Sequence, residues 1–260
     1  MAKPRVLILR AAGTNCDAET VAAFEAAGAS ADRVHVNRIL EKPGILDEYR
    51  ILTIPGGFTY GDDIAAGVVL ANELTQRLGD GLYRFRDRGG LILGICNGFQ
   101  VLVKTGLLPG NDGGRRVATL SGNDSGKFED RWIYLEVAGD HCVFTKGMGG
   151  PVYIPVAHGE GKFVASGSAV RALEKGDQVV FRYALPDGKP ANGVYPFNPN
   201  GSVADIAGID DTTGRVLGLM PHPERHYTGV QHPQWTRRGL MDEGDGLPIF
   251  RNAARYAAHL

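Results

Sequence analysis

Residues 89–100 read Gly-Gly-Leu-Ile-Leu-Gly-Ile-Cys-Asn-Gly-Phe-Gln, and residues 101–106 continue with Val-Leu-Val-Lys-Thr-Gly. The largely apolar run 91–95 follows a Gly-Gly turn, which predicts a buried strand. Residues 100–105 predict a helix, and Gly106 stands where a left-handed residue would end it. The stretch therefore predicts a strand that passes through a tight turn directly into a helix.

The turn itself has the pattern Gly94-x-Cys96-x-Gly98, which is typical of a nucleophile elbow with cysteine in place of serine. Glycine is needed at both flanking positions because a side chain would clash in so sharp a turn. The turn would lift the Cys96 sulfur above the sheet to a helix N-terminus, where backbone N–H groups favour a thiolate. The pattern alone also fits a small buried cysteine at a strand–helix contact, the commoner setting for a single cysteine.

Composition sets bounds on the class of protein. The chain has 260 residues, of which 43% are hydrophobic and 22% charged, so it is long enough to bury one large core in a single domain over residues 1–260. A net charge of -1 gives no electrostatic signature of nucleic acid or of an anionic membrane, and no apolar run reaches membrane-spanning length. Three cysteines at unrelated spacings predict no disulfide framework and favour a reducing cytoplasm.

The first part of the chain predicts alternating strands and helices, the pattern of a parallel α/β sheet. Strands are expected at 5–9, 31–36, 50–54 and 91–95, and helices at 18–27, 65–82 and 100–105. The later part predicts a turn at 111–114 and strands at 132–137, 152–158 and 178–183. A long loop at 185–202 is expected to follow, then a hairpin formed by 203–209 and 215–220, and a last helix from Pro248. The expected fold is a mainly parallel central sheet with flanking helices and an antiparallel β extension.

A second glycine motif follows the strand at 50–54, which ends in Pro55-Gly56-Gly57. A Gly-Gly pair at a strand end lets backbone N–H groups face a site without obstruction. In an acyl-transfer enzyme, one such N–H and that of the residue after the nucleophile form an oxyanion hole. These donors are assigned to Gly57 and Asn97, although a plain glycine turn would look the same.

The predicted hairpin ends in Pro221-His222-Pro223-Glu224, which supplies a base for the thiol. Pro223 favours an extended backbone at His222, and residues i and i+2 of an extended segment point to the same side. Glu224 would then hold one ring nitrogen of His222 while the other nitrogen faces Cys96. Cys16 also precedes a predicted helix and is a rival nucleophile, but it lacks the elbow glycines. The remaining cysteine and histidine spacings predict no metal site.

These three motifs, in this order, resemble the class I (triad) glutamine amidotransferases, which have a flavodoxin-like α/β fold. The resemblance implies that Cys96 attacks the side-chain amide of L-glutamine, that His222 transfers the proton and that Glu224 orients His222. It also implies that Gly57 and Asn97 stabilise the oxyanion. Gln100 is similar to the residue that holds the α-amino acid end of glutamine in this class.

Four further stretches narrow the resemblance to the glutaminase subunits of phosphoribosylformylglycinamidine synthase, in purine biosynthesis. They are Gly13-Thr14-Asn15-Cys16-Asp17 and residues 55–62, 157–161 and 198–202. Asn97 and Phe99 replace the Leu and His of many amidotransferases, and this variant form is similar to the purine subunit. The resemblance implies that this chain holds no cofactor and passes ammonia to a larger synthetase subunit carrying ATP and Mg²⁺, with or without a small third subunit.

Several alternatives stay open at this point. The chain could be a triad glutaminase that serves vitamin B6, histidine or anthranilate synthesis, a non-catalytic assembly subunit with this fold, or a cysteine hydrolase or chaperone-like protein with a similar elbow. His158 and Glu160 could form a second catalytic pair, contact glutamine, line a partner interface or form a structural turn. A role in lining the site or the interface is preferred for both, and residues 198–202 are placed near the subunit interface.

Overall fold

The computed structural model describes residues 3–110 and 116–260, which contain eleven strands and eight α-helices. The strands are β1 (Arg5–Arg10), β2 (Ser30–His35), β3 (Ile51–Ile54), β4 (Leu91–Ile95), β5 (Ala118–Ser121), β6 (Glu129–Val137), β7 (Val152–His158), β8 (Lys162–Ala165), β9 (Val179–Ala184), β10 (Ile206–Asp210) and β11 (Val216–Leu219). The helices are α1 (Asp17–Ala26), α2 (Val36–Glu41), α3 (Val68–Leu78), α4 (Gly81–Asp87), α5 (Asn97–Lys104), α6 (Gly167–Lys175), α7 (Trp235–Arg238) and α8 (Leu247–Ala257).

Nine strands form one mixed sheet in the order β2-β1-β3-β4-β11-β10-β9-β6-β7. The first five strands of that order are parallel to one another, and every residue of β4 is buried. Such burial on both faces is typical of a parallel sheet covered by helices. On the covering layer, α1 and α8 pack through Phe24 and Phe250, whose ring centroids lie 4.9 Å apart. This confirms the predicted α/β class.

The other half of the sheet is antiparallel. β11 pairs with β10, β10 with β9, β9 with β6 and β6 with β7, all in antiparallel register. β5 and β8 form a separate two-stranded antiparallel sheet. The predicted hairpin is confirmed as β10 and β11, and the loop at 185–202 contains no helix or strand. The antiparallel extension is thus continuous with the parallel half and is joined to it through β11.

Some predicted elements were wrong. The single helix expected at 65–82 is two helices, because Gly79 adopts a left-handed backbone (φ +52°) that ends α3 before α4 begins. Helix α5 begins at Asn97 rather than at residue 100. The prediction omitted α2, β5, β8, α6 and α7, although Ser166 caps α6 by accepting a hydrogen bond from the Ala169 N–H at 3.2 Å. The turn predicted at 111–114 lies outside the described residues.

The turn between β4 and α5 has the predicted elbow geometry. Cys96 has φ +52° and ψ −106°, a strained conformation for a residue with a side chain. A Cβ on Gly98 would lie 1.8 Å from the Ile54 carbonyl oxygen, and one on Gly94 would lie 2.7 Å from the Gly98 backbone. Gly106 ends the segment with φ +80°, as predicted. Across the described residues, none of the helices combines the length and apolar character that a bilayer span requires.

We expect Gly98→Ala to reduce the free energy of unfolding by about 3 kcal/mol, because the new methyl group would overlap the backbone of β3. The midpoint of urea denaturation measures this. Gly122→Ala is the matched control, since nothing lies within 4 Å of a Cβ at that position. Equal midpoints for the two variants would show that the elbow opens at little cost.

Candidate active site

Three neighbouring parallel strands bring the predicted motifs together. β3, β4 and β11 are adjacent, with Ile54 paired to Gly94 and Leu219 paired to Ile95. Their carboxyl ends therefore lie at one edge of the sheet, where α/β proteins usually bind ligands. The Gly56-Gly57 loop, the Cys96 elbow and the segment containing His222 follow these three ends. The order of the strands in the sheet therefore places three motifs that are distant in sequence next to one another in one site.

His222 and Glu224 form a buried pair. The Nδ1 atom of His222 lies 2.6 Å from Oε1 of Glu224, and the two side chains are 2% and 0% exposed. The sequence pattern predicted an extended conformation for this segment. In the structure, residues Pro223–Arg225 form a 3-10 turn that starts at the proline. Proline favours the first position of a helical turn, so Glu224 reaches His222 by curling back. The predicted pairing occurs by a different local route.

The second ring nitrogen of His222 is free. Among the described residues, Nε2 of His222 has no hydrogen-bond partner, although it is buried. Burial alone would lower the pKa of His222, but the Glu224 carboxylate and then the Cys96 sulfur raise it well above its usual range. The Cys96 thiol itself donates weakly to the Ala157 carbonyl oxygen at 3.7 Å. The Cys96 sulfur therefore lies close enough to the imidazole to raise its pKa, while the thiol contacts the Ala157 carbonyl oxygen.

The two predicted oxyanion donors flank Cys96. Gly57 has φ +147°, and a Cβ there would lie 2.6 Å from the Gly13 carbonyl oxygen, so only glycine fits. Asn97 is the first residue of α5, where a backbone N–H has no partner inside the helix. Within the described parts of the chain, neither N–H donates to a protein acceptor. Both donors are thus available to a ligand.

The side chain of Asn97 ties the loop after Gly57 to the elbow. Its Oδ1 accepts a hydrogen bond from Thr59 Oγ1 at 2.7 Å, and its Nδ2 donates to Asp62 Oδ1 at 3.2 Å. Burial and the nearby Glu160 carboxylate raise the pKa of Asp62 to about 6. Asp62 belongs to the stretch 55–62, but the sequence pattern assigned it no role of its own. Its position against Asn97 places it beside the oxyanion donors.

A cavity of about 120 Å³ opens beside Cys96. It is lined by Gly57, Phe58, Asp62, Ala66, Cys96, Gln100, Phe128, Ala157, His158, Gly159 and Glu160. The side chain of Gln100 is already engaged, since Nε2 donates to the Glu160 carbonyl oxygen at 2.6 Å and Oε1 accepts from Asn97 Nδ2 at 3.0 Å. Four of the predicted site residues therefore line this cavity with the nucleophile, namely Gly57, Gln100, His158 and Glu160.

His158 and Glu160 do not pair with each other in the structure. His158 is 2% exposed and contacts the side-chain amides of Asn123 and Asn200, at 3.1 and 3.4 Å. The Glu160 carboxylate accepts from the Ala66 N–H at 3.3 Å. Burial, reinforced by His222, lowers the pKa of His158 to about 4, so this imidazole is neutral. The geometry does not support a second catalytic pair.

Residues 198–202 form the other wall around His158. The side chains of Asn198, Asn200 and Ser202 are buried, and Asn200 Nδ2 donates to the Gly161 carbonyl oxygen at 2.8 Å and to the Tyr183 hydroxyl at 2.9 Å. The loop was expected near a subunit interface. Its polar side chains face the interior of this chain.

Two residues that sequence reasoning did not assign to the site lie behind His222. Cys16 Sγ is 3.9 Å from His222 Nδ1, and Arg225 donates to that sulfur at 3.1 Å. Cys16, His222 and Glu224 offer donor atoms within 4.8 Å of one another, a set of residue types found in zinc sites. The guanidinium of Arg225 places a fixed positive charge against this set, which opposes a cation there. We therefore interpret it as a hydrogen-bonded cluster.

Comparison with known proteins agrees with this geometry. The model of the CobB/CobQ-like glutamine amidotransferase domain family matches residues 3–257. The chain is 53% identical to the phosphoribosylformylglycinamidine synthase subunit PurQ of Dehalococcoides mccartyi, over 99% of each chain. It is 42% identical to the subunit of that name from Methanococcus maripaludis, over 97% of each. The structure of PurLQS from Thermotoga maritima matches with a TM-score of 0.74 and 32% identity, over 98% of this chain and 99% of that one.

The chain therefore belongs to the CobB/CobQ-like glutamine amidotransferases, and within them to the family of phosphoribosylformylglycinamidine synthase subunits called PurQ. The resemblance to glutamine amidotransferases that was drawn from the three motifs is confirmed, and so is the narrower resemblance to the purine synthase subunits that was drawn from the four further stretches.

The neutral state of His158 predicts a pH dependence of stability. Its pKa falls from the usual 6.5 to about 4 on folding, so the unfolded chain binds more protons between these values. The free energy of unfolding should therefore fall by about 3 kcal/mol from this residue as the pH drops from about 6.5 to about 4. Chemical denaturation of the wild type and of His158→Gln at several pH values isolates the contribution.

His259→Gln is the control for that experiment, because His259 is exposed near the end of the chain. Its pH dependence should match that of the wild type. A parallel pH dependence in wild type and His158→Gln would contradict a neutral His158.

Proposed function

We propose that this chain hydrolyses L-glutamine to glutamate and ammonia through Cys96, His222 and Glu224. The observation that carries the proposal is the arrangement at one sheet edge: a strained cysteine at a helix N-terminus beside a buried imidazole whose far nitrogen is 2.6 Å from a carboxylate. A thiol, a base and a group that orients the base are the parts that covalent acyl transfer requires. The family assignment supports the same chemistry.

In the first half of the reaction, the Cys96 sulfur attacks the side-chain carbonyl carbon of glutamine while its proton passes to His222 Nε2. The high pKa of His222 favours the imidazolium that results, and Glu224 stabilises it. The carbonyl oxygen becomes an oxyanion that accepts hydrogen bonds from the N–H groups of Gly57 and Asn97. As the C–N bond breaks, His222 returns the proton to the leaving ammonia, and a thioester to Cys96 remains.

In the second half, the neutral His222 takes a proton from water, whose oxygen attacks the thioester carbon. The same two N–H groups stabilise the second oxyanion, and its collapse breaks the C–S bond, releasing glutamate and restoring the thiol. The α-amino acid end of glutamine would lie toward Gln100 and Glu160, which line the cavity together with Cys96. Because the Gln100 amide is already bonded, its role would be to position this wall of the cavity.

The ammonia is proposed to pass to a synthetase subunit. The relatives are named as subunits of phosphoribosylformylglycinamidine synthase, and the matching solved structure is named PurLQS, which supports an assembly of this kind. ATP and Mg²⁺ would bind to the synthetase, and this chain would supply no cofactor of its own. A small third subunit, a cytoplasmic location and the absence of nucleic acid or membrane partners complete the proposal.

We expect the purified chain to release glutamate from glutamine, at a rate that rises when the synthetase subunit is added. Cys96→Ala should abolish the activity because no thioester can form, whereas Cys142→Ala, at a second buried cysteine, should retain it. Glutamate formation measured by a coupled dehydrogenase assay distinguishes these cases. Activity that survives in Cys96→Ala would refute the assigned nucleophile, and a rate indifferent to the partner would count against the purine synthetase.

Glu224→Gln should lower kcat by about 10³–10⁴-fold, since an amide cannot stabilise the imidazolium and can hold the wrong tautomer. Loss of the carboxylate also removes the main influence that raises the pKa of His222. The alkaline limb of the kcat profile should therefore move to lower pH. Glu25→Gln provides the control, because Glu25 is an exposed carboxylate of α1, and an unmoved alkaline limb in Glu224→Gln would contradict the assignment.

A further inference from the structure

A chain of contacts behind the imidazole connects His222 to the start of α1. Cys16 Sγ lies 3.9 Å from Nδ1 of His222, on the side of the ring that faces Glu224. Arg225 donates to that sulfur from one terminal nitrogen at 3.1 Å, and its Nε donates to Glu19 Oε1 at 2.9 Å. One arginine therefore bonds to two residues at the start of α1.

The elements that carry these residues explain what the link holds. Cys16 is the residue that precedes the first turn of α1, and Glu19 lies within that turn. Arg225 belongs to the 3-10 turn that also contains Glu224. Because adjacent residues of one short turn move together, an arginine fixed to α1 fixes the carboxylate beside it. The partners are about two hundred residues apart in the chain, so only the tertiary fold brings them together.

Packing around the ring is equally close. A Cβ at Gly56 would lie 2.8 Å from His222 Cε1 and 3.0 Å from Cys16 Sγ. The imidazole and the sulfur thus share the space above one glycine, with Glu224 at the remaining polar edge. Cys16 is 1% exposed and does not line the cavity that contains Cys96. Burial also raises the pKa of Cys16, so its sulfur is a neutral thiol and not a second nucleophile.

We propose that Cys16 and Arg225 are positioning residues for the catalytic base. They anchor the turn that carries Glu224 to α1, and so keep the Glu224 carboxylate aligned with Nδ1 of His222. The inference rests on the proposed glutaminase activity, because it assigns these residues to the base of that reaction. It predicts an effect on the chemical step and none on substrate binding. A displacement of about 1 Å at a reacting group can lower a rate by about 100-fold.

The test compares Cys16→Ala, Cys16→Ser, Arg225→Gln and Arg225→Lys in the full chain with the synthetase subunit present. Cys16→Ala and Arg225→Gln should lower kcat by about 10- to 100-fold with KM unchanged. Cys16→Ser and Arg225→Lys, which keep an acceptor and a cation respectively, should recover part of the loss. Cys142→Ala is the matched control, because Cys142 is equally buried and makes no contact with the triad.

The pH profile separates positioning from other effects. If Arg225 holds Glu224 in place, Arg225→Gln loosens the carboxylate from His222, and the alkaline limb of kcat moves to lower pH. If the arginine acts only as a nearby positive charge, its loss stabilises the imidazolium and the limb moves to higher pH, which would overturn the proposal. A lower melting temperature with unchanged kcat and an unmoved limb would also overturn it.

A measurement on the histidine itself keeps this inference distinct from the proposed reaction. The pKa of His222, followed by NMR in chains with labelled histidine, should fall in Arg225→Gln whatever substrate the enzyme uses. If the wild-type chain releases no glutamate but the pKa of His222 still falls in Arg225→Gln, the glutaminase proposal is refuted and the link from α1 to the base is retained. No change in the pKa of His222 would refute the link.

Discussion

The close approach of Gly98 to the Ile54 carbonyl oxygen is the constraint on which the site depends. A Cβ at Gly98 would lie 1.8 Å from that oxygen, so α5 can start against β3 only with glycine there. This contact leaves no room for a gradual turn after β4, and Cys96 takes the strained backbone at φ +52°. The strain fixes the direction of the sulfur and places the Asn97 N–H at an open helix end.

The base depends on a second constraint, which is electrostatic. His222 and Glu224 are almost wholly buried, and charges in such a setting are costly unless they are paired. The 2.6 Å contact supplies the pairing, while Oε2 of Glu224 is buried and has no partner among the described residues. The carboxylate therefore interacts mainly with one imidazole, and this interaction raises the pKa of His222 despite burial. The pair favours an imidazolium at the cost of an unsatisfied oxygen.

The sequence predicted the parts of the site whose geometry is local. The elbow at Cys96, the glycine at 57 and the pairing of His222 with Glu224 depend on contacts within a few residues or on strand ends that a parallel sheet must bring together. The predicted extended form of residues 222–224 was wrong because proline also suits the first position of a helical turn. The prediction of a single helix at 65–82 was wrong because the sequence does not show whether an isolated glycine inside a helical pattern adopts φ > 0.

Local sequence patterns could not predict contacts between residues that are far apart in the chain. No spacing rule connects Arg225 to Glu19, or His158 to Asn123 and Asn200, since each contact exists only after the sheet has assembled. The motif Gly13-Thr14-Asn15-Cys16-Asp17 pointed to a subfamily, but the reason for its cysteine appears only where the sulfur meets the imidazole. Side chains that act through a partner carry a weaker sequence signal than those that act directly.

Two buried histidines near one cavity show how the fold divides their roles. Burial disfavours charge on both, and the charge of His222 further lowers the pKa of His158, so the two imidazoles cannot readily be protonated together. Glu224 decides which one carries the proton, because it lies 2.6 Å from His222, whereas the ring nitrogens of His158 contact the amide groups of Asn123 and Asn200. Environments that separate the pKa values of similar groups assign them different tasks. The amide groups around His158 therefore leave that imidazole neutral while the proton resides on His222.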